Sequence, residues 1–110
     1  MIVIITDEYD GGNDPEGCNS AGTPVTWYDT VVTSKLGIPE NAVALGLLNY
    51  ADGPCPPADQ VFDGGNIGSF VSMFGPNGML GGICEPDYGP VFAEAGQLIE
   101  EACNNFMPPG

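Results

Sequence analysis

The chain has 110 residues and sets fifteen Asp and Glu against one basic side chain, Lys35, with no Arg and no His. A formal net charge of −14 repels nucleic acid and anionic lipid headgroups, and it leaves few cationic groups to grip a phosphate or carboxylate substrate. Without histidine, Ser-His-Asp and Cys-His arrangements and His-based zinc sites are excluded within this chain, so the expectation is a protein that is not an enzyme.

At 43% apolar residues the sequence can build one small core, and one domain over residues 1–110 is expected. Aromatic and β-branched residues are spread along the chain, unlike in a disordered acidic tail. Seventeen glycines and eleven prolines call for long, irregular loops. No segment is long enough to span a membrane.

The first element is IVIITDEYDGG (2–12). Four β-branched residues run into Thr6-Asp7-Glu8 and then glycine, as a buried parallel strand does where it meets a binding crevice. An acidic loop over 8–22 follows. TPVTWYDTVVTSKLG (23–37) then predicts a helix with both ends marked. Thr23 is the N-cap, Pro24 the first helical residue, Gly37 the left-handed terminator, and Pro39 blocks continuation. Val25, Tyr28, Val32 and Leu36 share one face, with Val31 beside them.

NAVALGLLNY (41–50) is a continuous apolar run, short for a helix and suited to a strand buried on both faces. The proline-rich, acidic ADGPCPPADQ (51–60) follows. NIGSFVSMF (66–74) predicts a short helix with Ile67, Phe70, Val71 and Phe74 on one side and Gly75 ending it. MLGGIC (79–84) is a weaker strand candidate, because glycine disfavours strands. DYGPVFAEAGQLIEEACNNF (87–106) predicts the longest helix, with Asp87 as N-cap. Its apolar stripe runs through Val91, Ala95, Leu98 and Ala102, widened by Phe92, Ile99 and Phe106.

Strand–helix alternation predicts a Rossmann-like three-layer α/β/α domain with a short parallel sheet of three strands. Right-handed crossovers put the first two helices on one face, and the last helix is expected on the other. Ten of the fifteen acids then lie at or beyond the C-terminal ends of strands: Asp7, Glu8, Asp10, Asp14, Glu16, Asp52, Asp59, Asp63, Glu85 and Asp87. Open α/β sheets bind ligands at that edge, and oxygen donors suit Mg²⁺, Ca²⁺ or Mn²⁺. On charge alone, solvated acidic loops are the simpler account. Asp7, Glu8 and Asp10 are the metal candidates; Thr6, Tyr9 and Asp52 are candidates for lining the crevice.

Four cysteines, Cys18, Cys55, Cys84 and Cys103, are disulfide candidates. None forms a C-x-x-C pair. An even number in a small, loop-rich domain reads as disulfides of an exported protein, at the cell surface or outside it. No apolar leader with a basic flank is present, so an export signal is expected outside this chain. Cys18 and Cys55 both lie on loops at the same sheet edge, where a bridge is geometrically reasonable. Cys84 and Cys103 flank a helix about four turns long, which separates them beyond disulfide reach unless the helix starts late. The second bridge stays open.

IVIITDEYD (2–10), TWYDTVVTSK (26–35), VALGLL (43–48) and GGICEPDYGPVFAEAGQLIEEAC (81–103) together resemble the second half of a von Willebrand factor A-like (vWA) domain of bacterial exported surface proteins. The resemblance implies an adhesion module with a divalent cation, Mg²⁺ or Ca²⁺, at the C-terminal edge of the sheet. In that family one ligand loop carries Asp-x-Ser-x-Ser, a second contributes Thr and a third contributes Asp. Asp7 matches the third position only, and Asp-x-Ser-x-Ser does not occur in this sequence. The resemblance therefore places the first half of such a sheet on a segment this chain lacks.

Two functions follow as expectations. One is a non-enzymatic binding or adhesion module that engages a protein partner with a divalent cation. The alternative is a truncated structural fragment without metal binding, prone to self-association into a homodimer through its open first strand. Carboxylate-bound metal hydrolysis ranks last, because carboxylates alone offer little acid–base chemistry.

Overall fold

The structure, a computed structural model, describes residues 1–7, 10, 20–50, 52–56, 65–106 and 108. It is a mixed α/β fold, compatible with a Rossmann-like arrangement. Three parallel strands, β1 (Ile2–Thr6), β2 (Ala44–Leu48) and β3 (Gly78–Gly82), lie in the order β1-β2-β3. Helices α1 (Pro24–Ser34), α2 (Gly65–Ser72) and α3 (Gly89–Asn104) cover the two faces. Short 3₁₀ turns at Pro39–Asn41 and Gly75–Asn77 lead into β2 and β3.

The uniformly apolar ALGLL of β2 sits centrally, buried at every residue. Ile2 pairs with Ala44 and Ala44 with Gly78, and this register continues along both ladders. Alternation then divides the side chains. Ile2, Ile4 and Ala44 turn to one face, where they meet Phe70, Val71 and Phe74 of the α2 segment and Trp27, Tyr28 and Val31 of α1. Leu45, Leu47 and Met79 turn to the other face, against Val91 and Ala95 of α3. The expected distribution of helices over the two faces holds.

The predicted caps of α1 are present. The Thr23 hydroxyl accepts from the Thr26 N–H at 3.3 Å, the Thr26 hydroxyl accepts from the Thr23 N–H at 2.9 Å, and Pro24 opens the helix. The helix ends at Ser34; Leu36 and Gly37 both take positive φ, and the Gly37 N–H donates to the Val32 carbonyl at 2.9 Å. Its buried face is rotated from the aliphatic stripe. Val25 and Leu36 are exposed, while Trp27, Tyr28 and Val31 meet the core. Ring packing sets this rotation. Trp27 lies edge-on to Phe70 at 6.0 Å between centroids, Tyr28 to Phe74 at 5.0 Å, and Phe70 to Phe74 at 5.3 Å. The Trp27 Nε1–H donates to the Ala21 carbonyl at 2.7 Å, which fixes the indole.

Glycine weakens a strand in isolation, yet β3 forms because its glycines admit close neighbours. A Cβ on Gly81 would stand 2.8 Å from both Leu47 Cδ2 and Val91 Cγ1, so α3 seats on the sheet only over a bare backbone. Gly78 lies against the Val71 carbonyl and Gly82 against the Pro54 ring in the same way. The Asn77 side-chain amide donates to the Glu40 and Ala42 carbonyls, both at 3.1 Å, and ties the start of β3 to the approach of β2.

In α3, Asp87 acts one residue ahead of the N-cap position, which Tyr88 occupies; its carboxylate accepts from the Gly89 N–H at 2.8 Å. The Tyr88 hydroxyl donates to the Ile83 carbonyl. Only Ala95 of this helix is buried, and Phe92 and Phe106 of the broad predicted stripe are exposed. The cluster beneath α3 draws on β2 and β3 and not on β1.

Glycine's two roles separate by substitution. Gly81→Ala is expected to destabilise by about 1–3 kcal/mol through overpacking. Gly96→Ala, on α3 with no atom within 4 Å of the added carbon, is expected to gain ~0.5–1 kcal/mol. Urea denaturation of the two variants beside the parent checks the opposite signs.

Candidate functional site

Parallel strands bring their C-terminal ends to one edge, and the chain leaves that edge three times. After β1, Thr6 is half-buried and Asp7 sits exposed in a bend. Asp10 is different: it is 5% exposed. Its Oδ1 accepts from the Ser20 N–H at 3.0 Å, and its main-chain carbonyl accepts from the Asn66 N–H at 2.6 Å, at the start of α2. Its Oδ2 is buried with no hydrogen-bond partner among the described residues. Asp10 is thus fixed at the start of α2.

After β2, Asn49 is buried and Tyr50 half-buried. A turn follows in which the Gly53 N–H donates to the Tyr50 carbonyl at 3.1 Å and Asp52 is exposed at φ 60°. Tyr50 also borders a cavity of about 310 Å³ lined by Gly68, Ser69 and Ser72 of α2 and Leu80 of β3. After β3, the Ile83 N–H donates to the Leu48 carbonyl at 2.9 Å and prolongs the ladder by one bond.

The disulfide joins Cys55 to Cys84, linking the segments that follow β2 and β3. Cys55 is thus bonded to Cys84 and not to Cys18, the pairing that loop positions alone made geometrically reasonable, and Cys18 lies outside the described residues. The physical reason is the sheet order. β2 and β3 are neighbours, so the segments leaving their C-terminal ends emerge side by side, and Gly82 lets Pro54 press against the strand end. Cys103 is a free, exposed thiol. It stands about 20 Å along α3 from the helix's first residue, out of reach of the bridge.

Of the three metal candidates, Asp7 is exposed, Asp10 is buried, and Glu8 lies outside the described residues, as does Tyr9. Among the described residues no group of three or more His, Cys, Asp or Glu side chains could hold a metal ion. Asp14, Glu16, Asp59 and Asp63 also lie outside them. Sequence reasoning missed Ser20 and Asn66, whose amides fix Asp10. No side-chain signal marks either residue, because both act through main-chain N–H groups, Ser20 on the Asp10 carboxylate and Asn66 on the Asp10 main-chain carbonyl. Among the described residues no helix is long and apolar enough to cross a membrane.

Compared with protein-family models, curated proteins and solved structures, the chain matches none of them.

Closing a loop of this length with a covalent bond restricts the unfolded chain. With Cys55 and Cys84 separated by 29 residues, the double variant Cys55→Ser/Cys84→Ser is expected to lose stability. Loop-closure entropy sets the loss at ~3.5 kcal/mol. Denaturant midpoints with and without reductant check it: reductant should lower the parent's midpoint and leave the variant's unchanged.

Proposed function

We propose that the chain is a non-enzymatic binding module of an exported or cell-surface protein, and that it engages a protein partner through the C-terminal edge of its sheet with a divalent cation, Ca²⁺ or Mg²⁺, held there. The observation that carries this reading is the Asp10 carboxylate, 5% exposed, with one oxygen on the Ser20 N–H and the other buried and unmatched among the described residues. A buried carboxylate oxygen calls for a donor or a cation, because its desolvation is otherwise uncompensated.

The rest of the chain favours the cation. A net charge of −14 raises the local concentration of cations, and a carboxylate is a hard oxygen ligand. Asp7, Glu8, main-chain carbonyls and water are the groups to complete the shell. Asp7 is where the resemblance to vWA domains places an adhesion-site ligand, and adhesion through a shared cation accounts for a site with carboxylates and no acid–base partner. The Cys55–Cys84 disulfide agrees with an oxidising location.

Ligand binding to the folded state alone stabilises it, by ~2.7 kcal/mol at a hundred times Kd. Millimolar CaCl₂ or MgCl₂ is therefore expected to raise Tm relative to the chain in chelator. Asp10→Asn, nearly isosteric, should keep the chelator-state Tm and lose the shift. A Tm indifferent to both cations, or a shift of the same size in Asp10→Asn, would sink the proposal.

A further inference from the structure

β1 closes one end of the sheet, and its outer side has no strand beside it among the described residues. The Ile2 N–H donates to the Val43 carbonyl at 2.8 Å, and Ile2 pairs with Ala44, so in a parallel ladder Ile2, Ile4 and Thr6 spend their backbone groups on β2. The N–H and C=O of Val3 and Ile5 point the other way. Their side chains stand on the α3 face, where α3 does not reach, and they are 41% and 59% exposed. From Met1 to Thr6 there is no charged side chain, proline or glycine, the features that normally blunt an edge strand.

Three further observations select what fits there. The strand is self-complementary. Turned antiparallel about Ile4, Val3 of one copy faces Ile5 of the other, and these are the residues whose free N–H and C=O groups match as hydrogen-bonded pairs. Opposite residues in such a pair share a face, so the exposed Val3 and Ile5 side chains of both copies close into one apolar cluster.

The charges agree with this orientation. Lys35, the only basic residue in the chain, lines a cleft with Met1 and Ile2 at one end of β1, and exposed Asp7 stands at the other. Antiparallel pairing sets Lys35 of each copy at the end that holds the other copy's Asp7. Parallel pairing would stack like on like. The seam also runs on into an apolar groove of about 310 Å³ lined by Met1, Val43, Ile99, Ala102 and Phe106.

We infer that β1 is a homodimer seam: two copies of this chain pair antiparallel through Val3 and Ile5 and continue the sheet across a two-fold axis. The interaction needs no cation; it shares Asp7 with the edge proposed to hold one, so it is tested with chelator present.

Sedimentation velocity over a concentration series of the 110-residue chain, at near-physiological salt with chelator present, tests it. A reversible monomer–dimer equilibrium is expected. Val3→Lys places a charge on the seam, and Ile5→Pro removes an N–H that faces away from β2, a change an edge strand tolerates. Each is expected to weaken dimerisation by about tenfold or more while circular dichroism and Tm stay those of the monomer. Lys35→Glu and Asp7→Lys should each weaken it, and the double variant should restore it. A chain that stays monomeric throughout, or dimerises undiminished in both Val3→Lys and Ile5→Pro, overturns the seam. Charge variants without effect overturn its antiparallel orientation.

Discussion

Burial of Ala44–Leu48 on both faces is the constraint from which the arrangement follows. The strand has no polar side chain to offer water, and burying each of Leu45, Leu47 and Leu48 contributes roughly 1.5–3 kcal/mol. It therefore needs a strand on each side for its backbone and a helical layer on each face for its side chains. β1 and β3 supply the first, and α1 with α2 and α3 the second. The outer strands are covered only as far as β2 requires. That is why β1 is well packed toward α1 and α2 and open toward α3.

Much of this was legible because it is written in local chemistry. Thr23 and Pro24 mark a helix start through groups that act within one turn, and the apolar run 41–50 is short for a helix and fits a doubly covered strand. What was not legible depends on partners distant in sequence. The rotation of α1 is decided by Phe70 and Phe74, which reward Trp27 and Tyr28 over Val25 and Leu36. Glycines in β3 read as a weakness until Leu47 and Val91 are seen pressing on Gly81. The Cys55–Cys84 pairing follows from strand order, which spacing along the chain does not reveal.

The strand-end acids show the same division. Their placement at one edge was readable from alternation alone, because it needs only the direction of parallel strands. Their inequality was not. Asp7 and Asp10 look interchangeable in sequence, yet one faces solvent and the other is enclosed between a main-chain amide at Ser20 and the start of α2. Burial, rather than residue type, distinguishes the two carboxylates.

The Asn77 amide and the disulfide bracket the same pair of strands, one at each end: Asn77 clips the start of β3 to the chain entering β2, and Cys55–Cys84 clips their exits. β1 is held to β2 by ladder hydrogen bonds and by the packing of Ile2 and Ile4, with no crosslink of its own among the described residues. Under tension the sheet is therefore a stapled two-strand block with a third strand that can unzip one ladder bond at a time. A pull on the chain would peel β1 away first and leave β2, β3 and α3 as the mechanically resistant remainder.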